Sequence, residues 1–273
     1  MFKITACIVL YCNNSDILSK ATDSFLKTDL NVKLYLVDNS PTNRLETFFK
    51  DSRIEYIFNN ANIGFGAGHN IAIKKTIEVG SKYHLILNPD IEYKPGTLEK
   101  LIDFLNINMN VGLVSPKTLY PNGDIQYLCR MLPTPFDFFV KRFIPNKMFP
   151  LFKKWIDNYE FKNKDYDKIM EVPFLSGCFM LIRTEVFEKV GLFDKNIFMY
   201  TEDIDLCRRI FKSYKTIYYP EVTVIHGYER GSAKNLKLLY ISIKSAIYYF
   251  NKWGWFWDND RVIINRKVLN QFK

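Results

Sequence analysis

Short apolar runs alternate with helix-like segments through the first hundred residues. Strand-like runs occupy residues 4–11, 32–37, 54–58 and 83–87, and helical patterns occupy residues 15–27, 42–50 and 68–79. This alternation predicts an α/β fold with a Rossmann-like, mainly parallel central sheet and helices on both faces. In such sheets, ligands bind beyond the carboxyl ends of the strands.

The pattern is less regular in the second half of the chain. Residues 133–168 are rich in Pro, Phe and Lys without clean periodicity, which predicts an excursion over one face. An apolar block at 172–182 leads into a short helix at 185–190, and strand character resumes at 218–225. We therefore predict one domain over residues 1–229, with halves at 1–105 and 106–229, followed by a helical tail at 230–273.

Composition is typical of a globular protein, with 48% hydrophobic and 25% charged residues among 273. The five cysteines are odd in number and form no CxxC pair, which favours a reducing cytoplasm. The apolar run at residues 4–10 is short, and no small-residue cleavage site follows it, so we do not expect a signal peptide. Because no stretch reaches about 18 uninterrupted apolar residues, we expect no membrane-spanning helix.

Charge is concentrated at the end of the chain. Residues 230–273 hold nine Lys and Arg against two Asp, so +7 of the net charge of +9 lies there, together with many aromatic residues. This mixture predicts peripheral contact with an anionic membrane surface at the inner face of the plasma membrane. A packed terminal helix with solvated charges is the alternative. The residues predicted to meet lipid are Trp253, Trp255, Trp257, Lys237, Lys244, Lys252, Arg261 and Arg266.

No RNP, KH or helix-turn-helix pattern is evident, so we expect no nucleic-acid partner.

An acidic segment at residues 201–209 opens a predicted helix. If the apolar residues that follow face a core, Asp203 lies three to four residues before them on the same face. An inward carboxylate is costly unless it has a partner or a function. Glu202 and Asp205 fall on other faces, where they are predicted to serve the helix N-terminus. The alternative is that all three are ordinary acidic residues at a helix start.

Three other places carry candidate chemistry. The glycine-rich loop at residues 62–70 follows a strand and opens a helix, a suitable place for a phosphate or polar ligand, although a plain turn is equally compatible. Asp90 follows a strand and is a candidate ligand for a divalent cation bound to a diphosphate; a turn aspartate is the alternative. His226 follows strand-like residues and is a candidate metal ligand or a hydrogen-bonded structural histidine.

The order of these motifs resembles glycosyltransferase family 2, closest to its bacterial rhamnosyltransferase-like branch, over nearly the whole chain. The resemblance implies a GT-A fold in which a nucleotide-diphosphate sugar binds residues 1–105 and the acceptor binds residues 106–229. The motifs are Val37-Asp38-Asn39-Ser40, the loop at 62–70, Asn88-Pro89-Asp90, Ser176-Gly177-Cys178, Gly191-Leu192-Phe193-Asp194, the segment at 201–209, and the segment from His226 to Ser232.

The resemblance also implies roles for individual residues. Asp203 matches the catalytic base, and Glu202 beside it would orient the site or the acceptor. Asp90 is the last position of a metal-binding DxD element in which Asn88 replaces the first Asp, so Mg²⁺ or Mn²⁺ would be held mainly by Asp90, His226 and the diphosphate. The residues predicted to line the nucleotide site are Asp38, which would contact base or ribose, with Asn62, Gly64, Gly66, Asn70 and Asn88.

The chemistry needs few groups. Direct displacement at an anomeric carbon requires a carboxylate to accept the acceptor proton and a cation or dipole to stabilise the departing diphosphate. A retaining mechanism would also require a nucleophile, for which the sequence offers no clear candidate. We therefore predict an inverting transferase of a sugar, with rhamnose as one candidate, to a saccharide or lipid-linked acceptor in bacterial surface polysaccharide synthesis, with a homodimer as one oligomeric state. The alternatives are a sugar-phosphate nucleotidyltransferase and a non-catalytic carbohydrate-binding or membrane-associated protein.

Overall fold

The computed structural model describes residues 3–138, 149–227 and 235–273. The strands are β1 (Ile4–Leu10), β2 (Val32–Asp38), β3 (Ile54–Phe58), β4 (Tyr83–Leu87), β5 (Ile91–Tyr93), β6 (Val111–Leu119), β7 (Cys129–Arg130), β8 (Met170–Glu171), β9 (Phe174–Leu175), β10 (Phe179–Arg183) and β11 (Lys215–His226). The helices are α1 (Ser15–Leu26), α2 (Phe65–Glu78), α3 (Thr97–Ile107), α4 (Phe149–Tyr159), α5 (Thr184–Val190), α6 (Glu202–Phe211), α7 (Leu236–Trp253) and α8 (Asn259–Asn270).

One large sheet organises the molecule, in the order β3-β2-β1-β4-β10-β6-β11-β5, with β8 beside β11. Strands β1 to β4 are mutually parallel, and β6 is parallel to β11. Strand β10 enters antiparallel between β4 and β6, and β5 pairs antiparallel with β11. The predicted mainly parallel sheet is confirmed, and the antiparallel β10 brings a second chain segment to the end of β4.

Both faces of the sheet are covered, as predicted. In β1, Ile4 and Ile8 belong to a core that includes residues of α1 and α3, whereas Cys7 packs with Ala72 of α2 on the other face. This alternation follows from the two-residue period of a strand. A further core on the α2 side includes residues from α5 to α8. The site described below lies at the ends of β4 and β11, where these layers meet.

One predicted helix of the first half does not form. No helix forms over residues 42–50; residues 44–48 make turns, with Glu46 N–H donating to the Asn43 carbonyl and Phe48 N–H donating to the Leu45 carbonyl. Leu45 is the one buried residue between positions 41 and 48. A helix there would have no apolar face to bury, and packing supplies most helical stability.

The irregular second half is also clarified. Residues 149–159 of the predicted excursion form α4, and residues 139–148 lie outside the described residues. Strand β11 continues through Pro220 with a shift of register between Tyr219 and Thr223. Proline lacks the N–H that a regular ladder needs, so a bulge at this point is expected.

The C-terminal tail packs against the rest of the protein. Residues Ala246, Tyr249 and Phe250 of α7 and Ile264 and Val268 of α8 join the core on the α2 side. The predicted boundary between residues 229 and 230 lies outside the described residues. In the parts of the chain that the structure describes, no helix combines the length and apolarity needed to cross a membrane.

Arg261, one of the tail residues predicted to meet lipid, is buried, so that part of the prediction was wrong. Trp253 is half-buried and the Lys252 side chain is 30% exposed, and both bind aspartates of the protein. Lys252 pairs with Asp205 at 2.7 Å and Asp194 at 2.8 Å. The Trp253 indole N–H donates to Asp205 at 2.9 Å, and Arg261 is buried against Asp258. The physical reason is that buried aspartates require cationic or N–H partners, and the tail supplies them.

Candidate active site

The pairing of β4 with β10 brings two motifs together. Leu87 lies opposite Phe179, and the Asn88 N–H donates to the Cys178 carbonyl at 2.9 Å. Residues 176–178 therefore lie beside residues 88–90. On the other side, the Gly177 N–H donates to Asp203 Oδ2 at 3.1 Å. The segment from 176 to 178 thus lies close to both Asp90 and Asp203, the two carboxylates that the sequence singled out.

Asp90 and His226 meet at the end of the sheet, as the metal-site prediction requires. Strands β5 and β11 pair His226 with Ile91, so the histidine stands next to Asp90. Its Nε2 lies 3.3 Å from Asp90 Oδ1, and the Gly227 N–H donates to the Asp90 carbonyl at 3.0 Å. Residues 228–232 of the motif that begins at His226 lie outside the described residues.

Gln126 sets the protonation of the histidine ring. The Gln126 side-chain N–H donates to the His226 carbonyl at 2.8 Å, which leaves its Oε1 facing His226 Nδ1 at 2.9 Å. Nδ1 therefore carries a proton, and in the neutral ring Nε2 presents its lone pair toward Asp90. Asn88 approaches the same nitrogen through its side-chain Nδ2 at 3.3 Å.

This geometry fits a divalent cation. Two ligands about 2.1 Å from a six-coordinate ion and at right angles are about 3 Å apart, close to the 3.3 Å between Asp90 Oδ1 and His226 Nε2. A carboxylate oxygen at this distance from a ring nitrogen requires a positive charge between them, which a proton on Nε2 or a bound cation can supply. Within the described ranges, no three His, Cys, Asp or Glu side chains cluster as ligands, so further ligands would come from substrate or water.

Asp203 stands at the first turn of α6 with both oxygens held by backbone. Oδ1 accepts from the Ile204 N–H at 2.9 Å, and Oδ2 accepts from Gly177. Burial raises the pKa of Asp203 above its usual range, while the Gly177 N–H and the positive charge of Arg130 act in the opposite direction. A carboxylate with a raised pKa is a stronger proton acceptor, which suits a general base.

Glu202 shares the site with Asp203 and has its own pKa raised, first by burial and then by the charge of Asp203. Backbone N–H groups of Tyr200 and Thr201 oppose this shift. Glu202 therefore contacts N–H groups at the helix start, as predicted, but it is buried rather than outward-facing. The half-buried side chain of the pair is Asp203.

The prediction for Asp205 was wrong. This residue is fully buried and accepts from Arg209 Nε at 2.9 Å in addition to Lys252 and Trp253. It does not serve the helix N-terminus. The sequence pattern predicts a single buried face for α6. In the structure the sheet covers one side of this helix and α7 covers another, so Asp205 and Arg208 are both buried.

The glycines of the glycine-rich loop pack against residues 193–198. A Cβ on Gly64, whose φ is +92°, would lie 2.4 Å from the Phe198 carbonyl oxygen, and one on Gly66 would lie 2.9 Å from Phe193 Cβ. The Asn70 amide donates to the Phe193 carbonyl at 2.9 Å and accepts from its N–H at 3.0 Å. The loop is therefore locked to residues 193–198, which precede the Asp203 helix.

These contacts give a different reason for the glycines than the one predicted. A hydrogen in place of a side chain at Gly64 and Gly66 leaves room for atoms of Phe198 and Phe193 rather than for a ligand. Asn62 is exposed, and its Oδ1 accepts from the Gly64 N–H at 3.2 Å. Contact of Asn62, Gly64, Gly66 and Asn70 with a nucleotide stays a prediction.

Asp38, the last residue of β2, is fixed by hydrogen bonds to neighbouring residues. It is fully buried, accepts from the Ser40 N–H at 2.8 Å and accepts from the Tyr56 hydroxyl at 2.5 Å. The adjacent Asn39 donates to the Gly64 carbonyl at 3.2 Å. Asp38 thus joins β2 to β3 through Tyr56, and its contact with a base or ribose stays a prediction.

Sequence reasoning missed two residues of the site. Arg130 lies on β7 opposite Phe174 of β9, close enough to Asp203 to influence its pKa. Its signal was a single cation in the apolar stretch 128–132. Gln126, which orients His226, stands in no motif and carries no such signal.

The sequence comparison decides the family. Residues 6–191 match the family described as glycosyl transferase family 2. The chain belongs to this family.

Two relatives of this glycosyltransferase carry related names. The N-acetylglucosaminyl-diphospho-decaprenol L-rhamnosyltransferase of Mycobacterium tuberculosis is 25% identical over 74% of this chain and 68% of that protein. The rhamnosyltransferase WbbL of Escherichia coli is 27% identical over 80% of this chain and 81% of that protein. The predicted membership of the rhamnosyltransferase-like part of the family is thereby confirmed.

The solved structures support the fold. GalNAc-T7, determined with UDP, GalNAc and Mn²⁺, superposes with a TM-score of 0.63 at 15% identity. The likeness covers 84% of this chain, and the chain spans 44% of that protein's length. The GT-A fold of this glycosyltransferase is thus confirmed.

Proposed function

We propose that this glycosyltransferase is an inverting enzyme that moves a sugar from a nucleotide-diphosphate donor to a saccharide or lipid-linked acceptor in bacterial surface polysaccharide synthesis. The observation that carries the proposal is that one candidate base, Asp203, and one candidate cation-binding pair, Asp90 and His226, both lie beside residues 176–178. The relatives' names support rhamnose as the sugar, and the mycobacterial name, with its diphospho-decaprenol, supports a lipid-linked acceptor.

Asp203 would remove the proton of the acceptor hydroxyl as that oxygen attacks the anomeric carbon, while the bond to the donor diphosphate breaks. The Gly177 N–H holds the receiving carboxylate in place. Glu202, with its own pKa raised, keeps a proton to higher pH and so limits the negative charge beside the base.

Cys178 provides a further reason to favour direct displacement. Its thiol is buried, and the carboxylates of both Asp90 and Asp203 influence it, so it lies near both groups. Burial, with the charges of the two aspartates, raises the pKa of Cys178 to about 12. A thiol that stays protonated is a poor nucleophile, so it does not suit the double displacement of a retaining mechanism.

Asp90 and His226 would hold Mg²⁺ or Mn²⁺, which when bound neutralises charge on the departing diphosphate. The mixed oxygen and nitrogen pair suits a transition ion such as Mn²⁺. Asn88 lies beside this pair. Because it is neutral, the protein would supply one negative charge fewer to the ion than it would with an aspartate at position 88.

The test is a screen of nucleotide-diphosphate sugars by thermal shift, with Mn²⁺ and with chelator, followed by transfer to an acceptor and NMR of the new anomeric centre. A donor that binds the folded protein raises Tm. We expect stabilisation by a nucleotide-diphosphate rhamnose and an inverted product. A product with retained configuration would refute the mechanism, and absence of stabilisation by any donor would refute the function.

A further inference from the structure

The C-terminal helices and the connection between them carry several exposed apolar side chains, two of them adjacent aromatic residues. Trp257 is 93% exposed and Phe256 79% exposed in the connection between α7 and α8. We call the outer tail face the surface formed by Tyr240, Ile247, Phe256, Trp257, Val262 and Ile263, all exposed. Two adjacent, almost fully exposed aromatic rings are unfavourable in water, so this face requires an explanation.

The charges of the same segment have one sign at the surface. Residues 235–273 contain two acids, and both have cationic partners: Asp258 pairs with buried Arg208, and Asp260 pairs with Lys212. The exposed cations Lys237, Lys244 and Arg266 lie in the same helices as the apolar residues. The outer tail face therefore combines aromatic rings with positive charge.

The inner face of α7 contacts the start of the catalytic helix. Thr201, which precedes Glu202, donates its hydroxyl to the Ser245 carbonyl at 3.2 Å, and Lys252 reaches Asp205. Tyr240 and Ile247 lie on the exposed side of the same helix. Because a helix with its side chains is about 10 Å across, the part of the outer tail face formed by Tyr240 and Ile247 lies roughly one helix diameter from α6.

We propose that the outer tail face binds an anionic lipid bilayer, with Phe256 and Trp257 in the headgroup region and Lys237, Lys244 and Arg266 facing acidic headgroups. Aromatic and cationic residues together suit that interface. A second copy of this chain fits less well, because a two-fold contact would place two positive surfaces against each other. The proposal rests on the proposed function in one respect, that docking would bring Asp203 near a lipid-linked acceptor.

The test is co-sedimentation of the full chain with phosphatidylcholine vesicles, with and without phosphatidylglycerol. We expect binding only with phosphatidylglycerol, and weaker binding as salt rises. Phe256→Ser with Trp257→Ser should weaken partition about tenfold or more, because burial of large apolar side chains is lost. Lys244→Gln and Arg266→Gln should each weaken it about fivefold.

Ile107→Ser is the matched control, since Ile107 is 81% exposed at the end of α3, outside the tail; it should bind as the unchanged protein does. Equal binding to neutral and anionic vesicles, or none to either, would overturn the proposal. A dimer in solution that the Phe256 and Trp257 changes dissociate, without vesicle binding, would assign the face to a second copy and also overturn it.

Transfer to a water-soluble acceptor separates this proposal from the proposed function. The Phe256→Ser, Trp257→Ser protein should keep that transfer within about twofold, because these side chains lie outside the site. Vesicle binding without any sugar transfer would refute the function and leave the docking surface intact, whereas transfer without vesicle binding would do the reverse.

Discussion

Replacing Asp258 with asparagine should strongly destabilise the protein through a residue of the tail. Asp258 receives two hydrogen bonds from Arg208 of α6, at 2.6 and 2.5 Å, and the two side chains are 2% and 1% exposed. The Arg208 guanidinium also lies 4.2 Å from the centre of the Trp253 ring. The substitution keeps the shape of the side chain but leaves the Arg208 charge buried without its anion.

The expected magnitude follows from that burial. Removing one partner of a buried ion pair costs about 3–5 kcal/mol. Asp258 also caps α8 by accepting from the Arg261 N–H at 3.0 Å, but asparagine caps equally well, so this contribution should be retained. For a protein of this size each kcal/mol lowers Tm by about 2–4 °C, which gives a decrease of about 6–20 °C.

The assay is thermal unfolding of the full chain, with Asp260→Asn as the matched control. Asp260 pairs with Lys212, but these side chains are 51% and 43% exposed, so its replacement should change stability by less than about 1 kcal/mol. Adding Arg208→Met to Asp258→Asn should recover part of the loss, because the unpaired buried charge disappears. Equal effects of the two asparagine substitutions would refute this reasoning.

Three other predictions concern the site. Asp203→Asn should keep donor binding but lower turnover roughly 10²-fold to 10⁴-fold, measured as sugar transfer; near-normal turnover by the folded variant would reject the base assignment. Asp90→Asn and His226→Gln should weaken donor binding with Mn²⁺ and leave it unchanged with chelator; calorimetry of the unchanged protein that gives one donor affinity in both conditions would contradict a shared ion. The pKa of Glu202 is raised in the folded state, so the folding stability linked to this group is fully present below the usual glutamate pKa and is lost as pH rises through the folded-state pKa. Glu202→Gln should therefore make the free energy of unfolding, measured with denaturant, fall less steeply over this pH range.

Local patterns predicted the strands of the first half well. Strands β3 and β4 have the predicted bounds, and β1 and β2 differ by one residue, because buried parallel strands appear as short apolar runs between polar segments. The predicted helix at 42–50 was wrong because one buried leucine cannot replace an apolar face. The antiparallel entry of β10 could not be predicted, since pairing between distant segments leaves no local pattern.

The candidate site was predictable in composition but not in geometry. Asp90 and His226 stood out as strand-end residues, yet their 3.3 Å approach depends on the pairing of β5 with β11 across more than 130 residues. Asp205 was misassigned because the chain that covers it, Lys252 and Trp253, lies about fifty residues later. Gln126 could not be found because a glutamine acquires its role only through its contact with His226.

The charged residues of α6 connect the helix that carries Asp203 to the glycine-rich loop at residues 62–70. Arg209 bonds to buried Asp205 and donates to the carbonyls of residues 190–192 at 2.6–3.1 Å. The next residue, Phe193, is held on both sides of its peptide by Asn70 of the loop. Displacing the loop relative to Asp203 would break this series of hydrogen bonds in an enclosed environment, where unpaired polar groups are costly. The glycine-rich loop and the helix that carries Asp203 are therefore held together. If they bind donor and acceptor as proposed, both reactants would be positioned in advance, which lowers the entropic barrier of bringing them into line.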